Sequence, residues 1–111
     1  MEDQWRSPLL DNRLRFIVYA LAGFIQNEYS KTITITSIYR EGDPGTHGCW
    51  RAVDIRTWNY SDDEIADIIN FINKSLPYGY GAYKTSLYHN VGQGEHIHIQ
   101  VSRDDYTKII K

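Results

Sequence analysis

The chain is poor in cysteine, in proline, in net charge and in long apolar runs, and each shortage removes a class of protein. Its one cysteine, Cys49, cannot close an internal disulfide, which suits a reducing compartment or a fold that is stable without staples. A formal charge of −2, with Lys and Arg scattered, leaves no basic stripe, so nucleic acid is not expected as a partner. The longest apolar run, Phe16 to Ile25, is about ten residues against the roughly 20 a bilayer span needs, so no membrane partner is expected. The start Met1-Glu2-Asp3-Gln4-Trp5 is acidic and polar, unlike a secretory signal, and implies a cytoplasmic protein as synthesised. No repeat, low-complexity tract or interdomain linker interrupts the chain.

What is present is apolar and aromatic. At 111 residues, 41% hydrophobic and 14% aromatic, the chain fits one domain, residues 1–111, with a real core. Ser7-Pro8 opens a helix well, and Leu10, Leu14, Ile17, Leu21, Phe24 and Ile25 recur at helical spacing, predicting a helix over 8–27. The alternating Thr32-Ile33-Thr34-Ile35-Thr36 predicts a strand running on to Tyr39-Arg40. Glu41-Gly42-Asp43-Pro44-Gly45 then forces a loop carrying Thr46, His47 and Gly48. A second strand follows over 51–57, with Val53 and Ile55 opposite in parity to Ala52, Asp54 and Arg56.

Ser61-Asp62-Asp63-Glu64 is a capping box, with Ile65, Ile68, Ile69 and Ile72 as the buried stripe of a helix that stops before Pro77. Tyr78-Gly79-Tyr80-Gly81 reads as a connector and 83–89 as a third strand. Gly92-Gln93-Gly94 turns into a fourth strand over 96–101, and the tail from Ser102 reads as a short helix. The order helix, two strands, helix, two strands, with hairpin-like connections, predicts an α+β fold: a small antiparallel sheet with helices on one face.

Chemistry concentrates in the histidines. In the last strand His96, His98 and Gln100 share a face. Two imidazoles are poor core residues, because each ring needs hydrogen-bond partners, but they are good metal ligands. Asp54 projects beside the small Ala52, which leaves room for an ion. His47 ends a glycine-flanked loop seven positions earlier. From spacing alone two readings stay open: a metal centre, or a satisfied polar and pH-sensitive surface. The aromatic residues Trp58, Tyr60, Tyr78, Tyr80 and Tyr83 could rim a sugar or peptide site, though packing accounts for most such residues.

Three ordered blocks span residues 37–101: Ser37-Ile38-Tyr39-Arg40, Thr46-His47-Gly48-Cys49-Trp50-Arg51-Ala52-Val53-Asp54-Ile55, and Glu95-His96-Ile97-His98-Ile99-Gln100-Val101. Together they resemble the zinc D-alanyl-D-alanine carboxypeptidase family. That family includes phage endolysins cutting between L-alanine and D-glutamate, and has the hedgehog/DD-peptidase fold. The resemblance implies zinc on His47, Asp54 and His98, with a fourth position open for water whose pKa falls from 15.7 towards about 7.

It also implies Glu95 as general base, provided Glu95 sits in the turn after Gly94, and Arg40 as the partner of a substrate carboxylate or carbonyl. Around them, Ser37 either contacts substrate or fills the strand end. His96 is a substrate donor, or a ligand in place of His98. His89 either stabilises the tetrahedral intermediate or caps its strand. Trp50 stands where the family pattern has Gly, and either narrows the pocket or packs away. Cys49 reads as a small packing residue.

The implied activity is zinc-dependent hydrolysis of an amide bond in peptidoglycan stem peptides, by a D,D-carboxypeptidase or an L-alanyl-D-glutamate endopeptidase. A leaderless cell-wall hydrolase would reach its substrate through a phage lysis system. The alternative is a non-catalytic module, such as a phage virion component, that keeps the fold and the metal. A metal-free interaction domain is the third reading.

Overall fold

Alternation along two central strands divides this molecule into a core side and a polar side. The computed structural model describes residues 2–43, 46–76, 84–90 and 95–101. The elements are α1 (Glu2–Trp5), α2 (Asn12–Tyr29), β1 (Ile35–Ser37), a 3₁₀ turn (Thr46–Cys49), β2 (Ala52–Arg56), α3 (Asp62–Ser75), β3 (Ser86–Asn90) and β4 (Glu95–Gln100). The four strands form one antiparallel sheet in the order β1-β2-β4-β3, so two hairpin pairs are joined along β2 and β4. The expected α+β class and antiparallel sheet are therefore present.

Val53 and Ile55 of β2 and Ile97 and Ile99 of β4 are fully buried, in one cluster with Leu14, Ile17, Leu21 and Ile25 of α2 and Ile65, Ile68 and Ile72 of α3. Each such side chain contributes about 1.5–3 kcal/mol on leaving water. Asp54 pairs with His98 and Arg56 with His96. These residues therefore occupy the opposite face of the sheet, away from the helices.

Local chemistry explains most boundaries. The capping box of α3 is complete: Glu64 N–H donates to Ser61 Oγ, and Ser61 N–H donates to Glu64. The first long helix starts four residues later than expected. Asp11 takes the cap, accepting from Arg13 N–H at 2.9 Å and pairing with its guanidinium, while Ser7 Oγ accepts from Leu9 N–H in a separate turn.

The first strand is much shorter than the expected 32–40: at its far end Tyr39 N–H donates to Gln4 Oε1 and Arg40 N–H to the His47 carbonyl, and at its start Thr32 serves another partner. Its carbonyl accepts from the Tyr60 hydroxyl at 2.6 Å. The short helix α1 was not expected from sequence; the Trp5 ring meets Tyr19 edge-on at 5.8 Å. The expected turn at 92–94, connector at 78–81, tail helix and Tyr83 lie outside the described residues, and the third strand, expected over 83–89, runs from Ser86 to Asn90, with Lys84 and Thr85 not in it.

Candidate metal centre

Three elements deliver one ligand group each. A bulge in β1 sets Ile35 against Ile55 but Ser37 against Asp54, which turns Ser37 to the polar side. The chain then buries Ile38, whose carbonyl accepts from His47 Nδ1 at 2.6 Å. His47 itself sits on the 3₁₀ turn, held close by Gly48. A Cβ on Gly48 would come within 1.9 Å of the Asp43 carbonyl oxygen, so only glycine allows this approach. Asp54 and His98 come from facing positions of β2 and β4.

His47, Asp54 and His98, the set the resemblance implied, converge, and the atoms they could offer a metal all lie within 4.8 Å of one another. Asp54 Oδ1 is 3.1 Å from His47 Nε2 and 3.0 Å from His98 Nδ1. Ligands about 2.0–2.1 Å from a tetrahedral zinc stand about 3.3 Å apart, so the two separations from Asp54 need only a few tenths of an ångström of adjustment, and the two ring nitrogens lie within 4.8 Å of each other.

The outer nitrogens decide the chemistry. His47 Nδ1 faces a backbone carbonyl. His98 Nε2 faces Gln100 Oε1 at 3.0 Å, and the Gln100 amide is fixed in that orientation by donating its own N–H to the Lys84 carbonyl at 3.2 Å. Both outer partners are acceptors, so both outer nitrogens carry a proton, and the inner nitrogens of the two rings face one carboxylate oxygen. Such a trio is held together by a cation, or by an extra proton on a ring.

Burial pushes the Asp54 carboxyl up, but with a proton on the rings the hydrogen bonds from His47 and His98, and the charges of His47 and His96, outweigh it. The carboxyl ends well below the usual carboxylate range. Asp54 is thus an anion, 2% exposed, and can serve as a ligand. The group of His47, Asp54 and His98 could hold a metal ion.

The other predicted residues surround this centre. Arg40 donates from Nη2 to Asp54 Oδ2 at 2.7 Å and from Nε to Ser37 Oγ at 3.0 Å, with Asp43 3.6 Å away. Its fork thus holds the Asp54 carboxylate, while its side chain also lines the neighbouring pocket. His96 Nε2 lies 3.7 Å from Asp54 Oδ2, on the outer side of the carboxylate. An open pocket of about 390 Å³ adjoins this side, lined by Thr36, Ser37, Arg40, Asp54, Arg56, Trp58, Glu95 and His96.

Glu95 is not in a turn, as the general-base role required. It is the first residue of β4, paired with Asn90, and its carboxylate accepts from the Tyr88 hydroxyl, whose pKa it raises. Strand parity sets it on the opposite face from His98, although it reaches the pocket rim.

Trp50 stacks on Tyr39 at 4.5 Å and 11° and packs against the core, so it does not wall the pocket. Its φ of 61° is left-handed, the conformation in which glycine is cheapest. Cys49 is exposed, contrary to the packing role read from its parity, because the 3₁₀ turn does not alternate faces as a strand does. Register places His89 opposite His96; its side chain lies outside what is described. Among the aromatic candidates Trp58 is exposed on the pocket wall and Tyr60 is core, while Tyr78, Tyr80 and Tyr83 lie outside the described residues.

Compared with known protein families, curated proteins and solved structures, the chain matches none. Its site is therefore read from its own chemistry. Sequence reading missed the Ile38 carbonyl and the Gln100 amide as the groups that fix the two rings. Only Gln100 left a signal, sharing the face of His96 and His98. Among the described residues no helix is long and apolar enough to cross a membrane.

Proposed function

We propose that the protein is a zinc peptidase that hydrolyses an amide bond in peptidoglycan stem peptides, as a D,D-carboxypeptidase or an L-alanyl-D-glutamate endopeptidase. The reading rests on one observation, the convergence of His47 Nε2, Asp54 Oδ1 and His98 Nδ1 with both outer ring nitrogens already bonded. Those three residues would hold the ion. When bound, zinc supplies a Lewis acid for the scissile carbonyl and a source of hydroxide at neutral pH.

The protein's own groups do the rest. Arg40 pins Asp54 Oδ2, which keeps Oδ1 turned to the imidazoles. His96 presents Nε2 on the pocket side, where it can donate to a substrate carbonyl. Glu95 lines the same pocket but is bonded to Tyr88 on the face away from His98, so it would serve as the base for the attacking water only on leaving Tyr88.

The test is digestion of purified muropeptides with and without chelator, read by mass, alongside zinc content. Release of terminal alanine marks the carboxypeptidase, and new L-alanyl fragments mark the endopeptidase. A zinc-loaded protein that yields neither product sinks the proposal. Glu95→Gln should keep the metal and lower kcat by 10²–10⁴-fold, the usual worth of a positioned general base; an unchanged rate removes Glu95 from the mechanism.

The bond from Tyr88 to Glu95, on the face away from His98, favours one second reading: a metal-holding module without turnover. Stoichiometric zinc without products from any muropeptide would establish it.

A further inference from the structure

The resemblance gives the task of meeting a substrate carboxylate to Arg40, but that guanidinium is taken up by Asp54, Ser37 and Asp43. A second guanidinium lines the same pocket. Arg56, on the polar face of β2 opposite His96, has no carboxylate within ion-pair distance among the described residues. Its guanidinium lies over the Trp58 ring, 4.5 Å from the centroid. Trp58 is 78% exposed, so it is not held there by the core. Stacking on an indole fixes the plane of a guanidinium and leaves its N–H edge free to donate, which is the arrangement bidentate carboxylate recognition needs.

We propose that Arg56, backed by Trp58, is a subsite for a carboxylate of the ligand, distinct from the Arg40 position. The proposal rests on the peptidase reading for its peptide ligand and adds where the acid group is held. Position 56 is two residues along the strand from Asp54, about 6.6 Å at the usual rise. An extended peptide covers about 3.3–3.6 Å per residue. The carboxylate received at Arg56 therefore lies within two residues of the bond presented to the centre. The ligand class is a short peptide with a free acid near the scissile bond, rather than a neutral or amidated one.

The experiment compares one muropeptide as free acid and as carboxamide, measuring Kd by Trp fluorescence and product by mass on zinc-loaded wild type, Arg56→Gln, Arg56→Lys and Trp58→Phe. The wild type should bind the acid about tenfold more tightly than the amide, one charge-assisted fork's worth. Arg56→Gln should bring the ratio close to one, and Arg56→Lys should restore only part of it, since an ammonium lacks the fork. An equal Kd for acid and amide in wild type, a preference that survives in Arg56→Gln, or binding of neither peptide overturns the subsite. Preferential binding of the acid without any product supports the subsite and removes the peptidase, whereas product with equal binding does the reverse.

Discussion

Removing the Gln100 side chain should loosen the metal without touching a ligand. In Gln100→Ala, His98 Nε2 loses its acceptor at 3.0 Å, and the ring is no longer tied to the Lys84 carbonyl through the amide. The ring can then protonate on Nδ1, the nitrogen aimed at Asp54 Oδ1, or rotate away from it. Partners of this kind are worth about 10–100-fold in metal affinity. At about 1.4 kcal/mol per tenfold, that is about 1.4–2.8 kcal/mol of binding.

Gln100 is only half-buried and lies on the polar face, so the fold should keep nearly all its stability. The assay is competition for zinc against a chromophoric chelator at fixed pH, with thermal denaturation of the chelated protein as control. Gln100→Glu, which keeps an acceptor toward Nε2, should recover most of the loss. Equal zinc affinity in wild type and Gln100→Ala, or a Gln100→Glu no better than the alanine variant, would refute the tautomer argument.

Two further changes probe what holds the site in place. Gly48→Ala puts a methyl group 1.9 Å from the Asp43 carbonyl oxygen, so the 3₁₀ turn must move and carry His47 with it. Stability should fall by about 1–3 kcal/mol, and zinc affinity with it; an alanine variant with unchanged melting and metal binding would show that the close approach is not required. Asp11→Ala removes the cap of α2 and leaves Arg13, 8% exposed, without its carboxylate at 2.7 Å. The cost should be about 3 kcal/mol, as for other broken buried pairs, read as a loss of denaturation midpoint. Burial raises the Asp11 carboxyl, but its bonds from Arg13 leave it lowered overall. Its contribution is therefore complete above the ordinary Asp range and is lost as pH falls through the lower folded value, so the variant's deficit should shrink in acid.

What could be read from sequence were the features set by neighbours in the chain. The capping box at Ser61 and the stripe of Ile65, Ile68 and Ile72 depend on spacings of three and four residues, and both are present. The parity that separates Val53 and Ile55 from Asp54 is equally local, and it placed the carboxylate correctly. The misplaced boundaries involve distant competition. Nothing near Thr32 announces that Tyr60, 28 residues away, will claim its carbonyl. Ser7-Pro8 has the residue types of a helix start, but Asp11 outcompetes it by accepting from Arg13 N–H and pairing with the same residue's guanidinium. Sequence does not reveal how close the Arg40 guanidinium comes to Asp54, 14 residues away.

The site and the core are two readings of the same pair of strands. Odd positions 53, 55, 97 and 99 are buried against the helices, while even positions 54, 56, 96 and 98 carry the carboxylate, the guanidinium and the imidazoles. A slip of one residue between β2 and β4 would put His98 opposite a core position and drive a polar ring into apolar surroundings, at a cost of several kcal/mol. The apolar face therefore enforces the register that pairs Asp54 with His98, and the candidate metal-holding residues need not specify it themselves. By the same reasoning, polar-face substitutions such as Gln100→Ala and Arg56→Gln can alter binding while the protein stays folded. Substitutions at Ile55 or Ile97 should lose the site only by losing the sheet.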